Sequence, residues 1–142
     1  HKEYRRQRQM CIRDRNRIKI DQQEELVKEI YQGELKKGEH QTLLKYQNAA
    51  NEKVLLKFDE KEVIMTRFAK RPIKMHFHPE IPGLTEYEGL GELSILTNAL
   101  SIDHESRTIK INYQLSQGAQ KIADYHLRID WKEQSVEGET NG

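Results

Sequence analysis

From Asn16 onward, apolar and polar residues alternate with a period of two along much of the chain. In the clearest run, Ala123, Tyr125, Leu127, Ile129 and Trp131 alternate with polar or charged neighbours. This pattern places apolar side chains on one face of a strand and polar side chains on the other. Shorter runs of the same kind lie at 54–58, 73–77, 93–95 and 109–115. The pattern predicts a chain made of half-buried β-strands.

Turn-forming residues separate these runs at intervals of about 8–14 residues, a spacing typical of an antiparallel meander. Segment 22–37 also contains good helix formers, but the sequence Tyr31-Gln32-Gly33-Glu34 would interrupt a helix, so a strand is favoured there. About eight to ten amphipathic strands must cover their apolar face, and closure into a barrel does so without free edges. The predicted fold is all-β: a single antiparallel up-and-down β-barrel of about 8–10 strands.

The composition changes this picture little. The chain has 142 residues, of which 35% are hydrophobic and 33% charged, as suits one globular domain. Its apolar runs are too short for a membrane-spanning helix, and no charged segment precedes a long apolar one as in a secretory signal. One cysteine cannot form an internal disulfide. These features favour a cytoplasmic protein without membrane contact.

The first fifteen residues, HKEYRRQRQMCIRDR, are basic and differ from everything that follows. They could form a basic arm for nucleic acid. However, RRQRQMCIRD resembles one reading frame of a transposase adapter from DNA sequencing libraries, with Arg15 at the junction. We therefore interpret residues 1–15 as non-native and disordered, 16–133 as the barrel and 134–142 as a flexible tail.

Setting residues 1–15 aside changes the charge. They contain six basic and two acidic residues, which leaves 18 basic against 21 acidic residues, a net charge of −3 for 16–142. The only cysteine, Cys11, is also set aside, and thiol chemistry with it. A general affinity for polyanions thereby loses most of its support, so nucleic acid is not predicted as a partner.

The second half of the chain resembles the YwiB-like family of small bacterial proteins, a domain family without an assigned function. The resemblance rests on the following residues: Tyr87, Gly91-Glu92-Leu93, Thr97, Ile109-Lys110-Ile111-Asn112-Tyr113, Gly118, Leu127 and Ile129. The order and spacing of elements from Arg17 to Glu133 also fit. The family is similar to calycins, the barrels that include lipocalins and fatty-acid-binding proteins. The resemblance thus implies a calycin-like fold and, by analogy only, an internal ligand.

His76-x-His78 is the strongest candidate for metal chemistry. Residues i and i+2 of a strand point to the same side, so two imidazoles could share an ion, with Glu80, His104 or His126 as a third ligand. The alternation, however, places both histidines opposite Ile73, Met75 and Phe77, on the solvent side. Two solvated surface histidines are the favoured interpretation, and no metal or other cofactor is predicted.

The inner face of the barrel is the candidate ligand site. Its predicted lining combines apolar and amphipathic residues with two threonines that could orient a polar group: Thr66, Met75, Phe77, Thr97, Tyr113, Tyr125 and Trp131. The first function hypothesis is therefore the binding of a small, partly apolar ligand inside the barrel. The alternative is that these side chains fill the barrel completely.

In that alternative, the protein is an interaction module whose charged outer face binds a protein or RNA partner. The basic cluster Lys70, Arg71 and Lys74 is the candidate contact.

GLGEL at 89–93 lacks the spacing of a phosphate-binding loop, and its glycines suit a bulge or a bend. Since no acid–base pair or nucleophile can be recognised, no enzymatic activity is predicted.

Overall fold

The computed structural model describes residues 8–87 and 89–134. Ten β-strands account for most of this part of the chain, which contains no helix long and apolar enough to cross a membrane. The strands are β1 (Arg8–Ile20), β2 (Gln23–Lys37), β3 (Thr42–Gln47), β4 (Lys53–Phe58), β5 (Val63–Phe68), β6 (Pro72–Phe77), β7 (Gly83–Tyr87), β8 (Gly91–Asp103), β9 (Thr108–Gln117) and β10 (Gln120–Glu133). Segment 22–37 is thus a strand, as its interrupted helix pattern predicts.

The ten strands form one antiparallel sheet with the hydrogen-bonded order β6-β5-β4-β3-β2-β1-β10-β9-β8-β7. Strands adjacent in sequence pair with each other except β6 and β7, which are the two ends of the order, and β1 also pairs with β10. The chain therefore runs up and down around a ring. The all-β barrel prediction is confirmed.

The ring closes at β6 and β7, the two ends of the sheet order. Gly83, the first residue of β7, lies so close to β6 that an added Cβ would stand 2.8 Å from the carbonyl oxygen of His76. A side chain at this position would separate the two strands. Glycine therefore allows the sheet to curl until it is nearly closed.

The inward positions of the strands form two halves. Toward the turns that join β2 to β3, β4 to β5 and β8 to β9, large apolar side chains fill the interior almost without exposure. We call this region the filled half; it includes Ile12, Leu44, Leu56, Phe58, Val63, Ile109 and Ile129. Phe58 packs against Trp131 there, with ring centroids 5.4 Å apart. The other half of the interior holds a cavity.

The expectation that residues 1–15 are disordered is wrong for 8–15. These residues form the first part of β1 and pair on both sides, with β2 and with β10. Met10 and Ile12 point inward and are fully buried. Met10 and Ile12 are two residues apart, so they lie on the same face of the strand and both reach the core, whatever the origin of the segment. Residues 1–7 and 135–142, which include most of the predicted tail, lie outside the described residues.

Glycines 89 and 91 have a different role from the predicted bulge or bend. Both have positive φ, 88° and 81°; Gly89 lies in the turn between β7 and β8, and Gly91 is the first residue of β8. Residues with a Cβ rarely adopt this backbone conformation, so glycine suits the turn. The irregularities of the sheet lie instead at Thr97/Ala99 in β8 and at Lys121/Ala123 in β10.

Candidate functional site

A cavity of about 310 Å³ occupies the half of the barrel interior that the large apolar side chains leave free. Its wall includes five tyrosines, so we call it the tyrosine cavity: Tyr31, Tyr46, Tyr87, Tyr113 and Tyr125. The rest of the wall is apolar at Ile18, Val27, Val54, Met65, Ile73, Met75 and Leu127, and polar or charged at Asp14, Asn16, Glu29, Asn48 and Arg67. Its volume is at the lower end of the range for small-molecule sites.

The tyrosine rings stack on one another and form flat wall segments. Tyr113 and Tyr125 are nearly parallel, with centroids 4.7 Å apart and 4° between their planes. Tyr31 and Tyr46 stack at 4.9 Å and 15°. Tyr113 and Tyr125 occupy directly opposed inward positions of β9 and β10, whereas Tyr46 of β3 opposes Gly33 of β2 and meets Tyr31 diagonally. The cavity thus presents rigid aromatic faces together with hydroxyl groups.

Asp14 brings a carboxyl group into the wall. Burial raises its pKa to about 6, and the negative charge of Glu29 adds to the rise, while a hydrogen bond from Tyr46 opposes it. β1 directs Asp14 inward because it continues the inward series of Met10 and Ile12. Because water has little access to this position, the neutral carboxylic acid is favoured over the charged carboxylate.

The hydroxyls of Tyr31, Tyr46, Tyr113 and Tyr125 keep their protons at neutral pH. Burial, followed by the charge of Glu29, raises the pKa of Tyr31 to about 12. Burial is also the largest cause of the raised pKa values of Tyr46, Tyr113 and Tyr125. A protonated phenol can donate a hydrogen bond as well as accept one. The wall therefore offers donors to a ligand.

Two further polar residues of the wall, Asn16 and Arg67, differ in whether they have an interaction partner. Asn16 forms a hydrogen bond with Tyr113, but its buried Oδ1 has no hydrogen-bond partner among the described residues. Arg67 Nε lies 3.4 Å from Glu52 Oε1, an ion pair outside hydrogen-bond geometry. The same carboxylate oxygen accepts a hydrogen bond from Asn48 Nδ2 at 2.9 Å. Arg67 is thus anchored, whereas Asn16 presents a free acceptor.

The structure brings three of the seven predicted lining residues together in the cavity wall: Met75, Tyr113 and Tyr125. Phe77 and Thr97 point inward and are buried, but they lie outside the cavity wall. The ring of Phe77 packs against that of Tyr113, with ring centroids 4.7 Å apart. The hydroxyl of Thr97 has no hydrogen-bond partner within residues 8–87 and 89–134.

The other two predicted residues, Thr66 and Trp131, lie away from the tyrosine cavity. Thr66 lies on the outer face of β5, opposite Lys74, because the pairing of Met65 with Leu56 and Met75 turns Met65 inward. Trp131 points inward but at the far end of the barrel, beside His104 and Arg107. Alternation gives the face of a residue but not its height along the barrel axis.

Sequence reasoning missed several wall residues, and one signal could have found them. In β1, β2 and β5, a polar residue occupies an inward position between apolar ones. These residues are Asp14 and Asn16, Glu29, and Arg67. A polar residue in an inward series indicates a place where the interior is not filled by apolar packing.

The predicted histidine pair lies on the outer face. His76 Nε2 is 2.6 Å from Glu62 Oε1, and His78 Nδ1 accepts a hydrogen bond from the backbone of Glu80. His104 stacks on Phe58 and His126 bonds to Asn112, both away from this pair. Among the described residues, no group of three or more His, Cys, Asp or Glu is arranged to hold a metal ion.

Comparison with known structures supports the fold. The crystal structure of the YwiB protein from Bacillus subtilis matches with a TM-score of 0.79 and 17% sequence identity, over 94% of this chain and 96% of that one. A search of curated proteins finds no match. The sequence profile of the family described as "Domain of unknown function (DUF1934)" matches residues 12–129. The chain therefore belongs to the DUF1934 family of YwiB-like β-barrel proteins.

Proposed function

We propose that this protein is a binding protein that holds a small, partly apolar ligand inside the tyrosine cavity. The observation that carries this proposal is the cavity wall itself, in which flat aromatic faces and apolar side chains surround a few inward polar groups. Such a combination is typical of small-molecule sites, where apolar surface gives affinity and polar groups give orientation. The buried, unpartnered Oδ1 of Asn16 supports it further, because a donor on a ligand would satisfy this atom.

The cavity supports this hypothesis over the alternative of a barrel filled throughout. We propose binding rather than catalysis, since the inward carboxyl group of Asp14 is already engaged within the wall, where it accepts a hydrogen bond from Tyr46. A calycin-like relationship and a cytoplasmic location belong to the same proposal. Their support is the up-and-down barrel and the sequence features described above.

Native mass spectrometry of the full chain, purified from bacterial cells without added ligand, tests the proposal. The full chain is required because residues 8–15 form part of β1. We expect extra mass that disappears on denaturation. Independently, the neutral fluorescent probe N-phenyl-1-naphthylamine should bind saturably with one molecule per chain, since its two aromatic groups match the stacked tyrosine faces.

Variants locate the probe. Tyr113→Leu and Tyr31→Leu each remove a ring from the wall and should weaken probe binding about fivefold or more. Phe68→Leu is the matched control, because Phe68 is a half-exposed aromatic residue outside the cavity wall. Circular dichroism shows which variants remain folded. A bare protein mass together with no saturable probe binding would exclude the proposed function.

A further inference from the structure

A cleft between β6 and β7 adjoins the tyrosine cavity. These strands touch where His76 meets Gly83, whereas at their other ends they border a cleft of about 500 Å³. We call it the side cleft; its wall includes Glu52, Lys70, Arg71, Ile73, Glu86 and Tyr87. It lies at the closing seam of the barrel, where β6 and β7 are the ends of the sheet order.

The side cleft and the tyrosine cavity share two wall residues, Ile73 and Tyr87. The hydroxyl of Tyr87 lies 3.9 Å from the sulfur of Met75, so its side chain reaches toward the cavity from the seam. A ligand too long for the cavity alone can therefore extend past Ile73 and Tyr87 into the cleft. The two spaces form one candidate site with an inner and an outer part.

The outer part carries positive charge. Lys70 and Arg71, from the turn between β5 and β6, have no ion-pair partner among the residues that the structure describes. Of the two carboxylates in the wall, Glu52 already interacts with Arg67 and Asn48. Glu86 is the other, so the described lining leaves an excess of cationic groups. An anionic group in the cleft would be attracted to them.

The inner part favours a flat molecule. The wall contains the stacked rings of Tyr113 and Tyr125 together with the apolar side chains of Met75 and Leu127. Aromatic ligands stack on such faces with offset or edge-to-face geometry. The inner carboxyl groups, Asp14 and Glu29, disfavour an anion at the bottom of the cavity.

We propose that the ligand is a planar aromatic molecule with one anionic group, whose rings lie in the tyrosine cavity and whose anion lies in the side cleft near Lys70 and Arg71. This inference rests on the proposed function and adds the ligand class and its orientation. The polarity of the site, with anionic groups inside and cationic groups at the cleft, determines that orientation.

Two probes with the same aromatic skeleton test the proposal. 1-Anilinonaphthalene-8-sulfonate carries a sulfonate, and N-phenyl-1-naphthylamine lacks it. In the full chain, reversal of both charges (Lys70→Glu with Arg71→Glu) should weaken the sulfonate probe about tenfold, since two favourable pairs become repulsive. The neutral probe should change by less than about twofold. Added salt should weaken only the sulfonate probe.

Controls make the outcomes distinct. Lys61→Glu reverses a charge in the turn between β4 and β5, near the filled half, and should change neither affinity. Tyr113→Leu should weaken both probes, which places both in the same cavity. If the neutral probe binds but the double reversal leaves the sulfonate probe unchanged, or weakens both equally, the anion site is wrong while the binding function stands. If neither probe binds, the proposed function itself fails.

Discussion

The filled half and the tyrosine cavity are built from the same strands but use their inward positions differently. In the filled half, the inward residues are large and apolar, and Phe58, Leu56 and Ile129 are at most 1% exposed. In the cavity, tyrosines and polar groups occupy the equivalent positions of the same strands. The filled half supplies most of the burial that stabilises the barrel, and the cavity keeps space at the cost of buried polar groups.

β1 shows this difference within one strand. Its inward series begins with the fully buried Met10 and Ile12 and continues with Asp14, Asn16 and Ile18 in the cavity wall. The first two residues add to the core, whereas Asp14 has a raised pKa because it is buried. The comparison indicates that stability and binding depend on different parts of each strand.

The largest expected effect is a loss of packing in the filled half. Phe58→Ala should lower the free energy of unfolding by about 3–5 kcal/mol, because it leaves a cavity beside Trp131 that the rigid sheet cannot close. Tyr125→Ala, at the half-buried edge of the tyrosine cavity, should cost only about 1–2 kcal/mol. Urea denaturation followed by circular dichroism measures both. Equal losses would contradict the division into two halves.

Asp14→Asn should have the next largest effect, and it should stabilise the protein. The folded pKa of about 6 exceeds the ordinary value of 3.8 by about two units, so the carboxylate form disfavours folding by up to about 3 kcal/mol above pH 6. The folded protein binds the extra proton between about pH 4 and 6, and the penalty declines as the pH falls through that window. The side-chain amide oxygen of the asparagine can still accept the hydrogen bond from the Tyr46 hydroxyl.

Urea denaturation of both proteins from pH 4 to pH 8 measures this effect. The stability difference between Asp14→Asn and the parent chain should be small near pH 4 and reach its maximum above pH 6. Asp21→Asn, in the exposed turn between β1 and β2, is the control and should show no such dependence. A difference that stays constant with pH would mean that Asp14 does not titrate as its burial requires.

The smallest expected effect separates the tyrosine ring from its hydroxyl. Tyr125→Phe should change stability by less than about 0.5 kcal/mol, because it removes only a hydroxyl group from a side chain that is half-exposed in the folded protein. Binding of N-phenyl-1-naphthylamine should be retained within about twofold, since the aromatic face opposite Tyr113 remains. Fluorescence titration measures the affinity. A large loss of affinity would show that the hydroxyl, rather than the ring, holds the probe.

Local pattern predicted much of the fold. The alternation from Ala123 to Trp131 became β10, and the turn residues at 48–51, 59–61 and 104–107 lie between strands. Segment 22–37 was ambiguous because it contains helix formers, and pairing of β2 with β1 and β3 decides it. The resemblance of residues 8–15 to an adapter predicts a non-native origin for this segment, and that origin stays a prediction from the sequence. Their alternation nevertheless suits a strand.

The candidate site was only partly predictable. Met75, Tyr113 and Tyr125 lie in unambiguous alternating runs, so their inward direction followed from the sequence. Thr66 lies in a run of apolar residues where a shift of one position exchanges the two faces, and only the pairing of β5 with β4 and β6 fixes the register. Trp131 points to the inner face, as predicted, but it lies at the end of the barrel opposite the tyrosine cavity.

The sequence by itself determined the strands, their turns and the inward face of the clearly alternating ones, because these follow from a period of two and from turn chemistry within a few residues. Only the tertiary structure decided which inward residues meet. The ring places Tyr31 of β2 and Tyr46 of β3 beside Asp14 of β1, and it brings Tyr87 of β7 next to Ile73 of β6. These neighbours depend on how the sheet staggers and closes, which no local segment specifies.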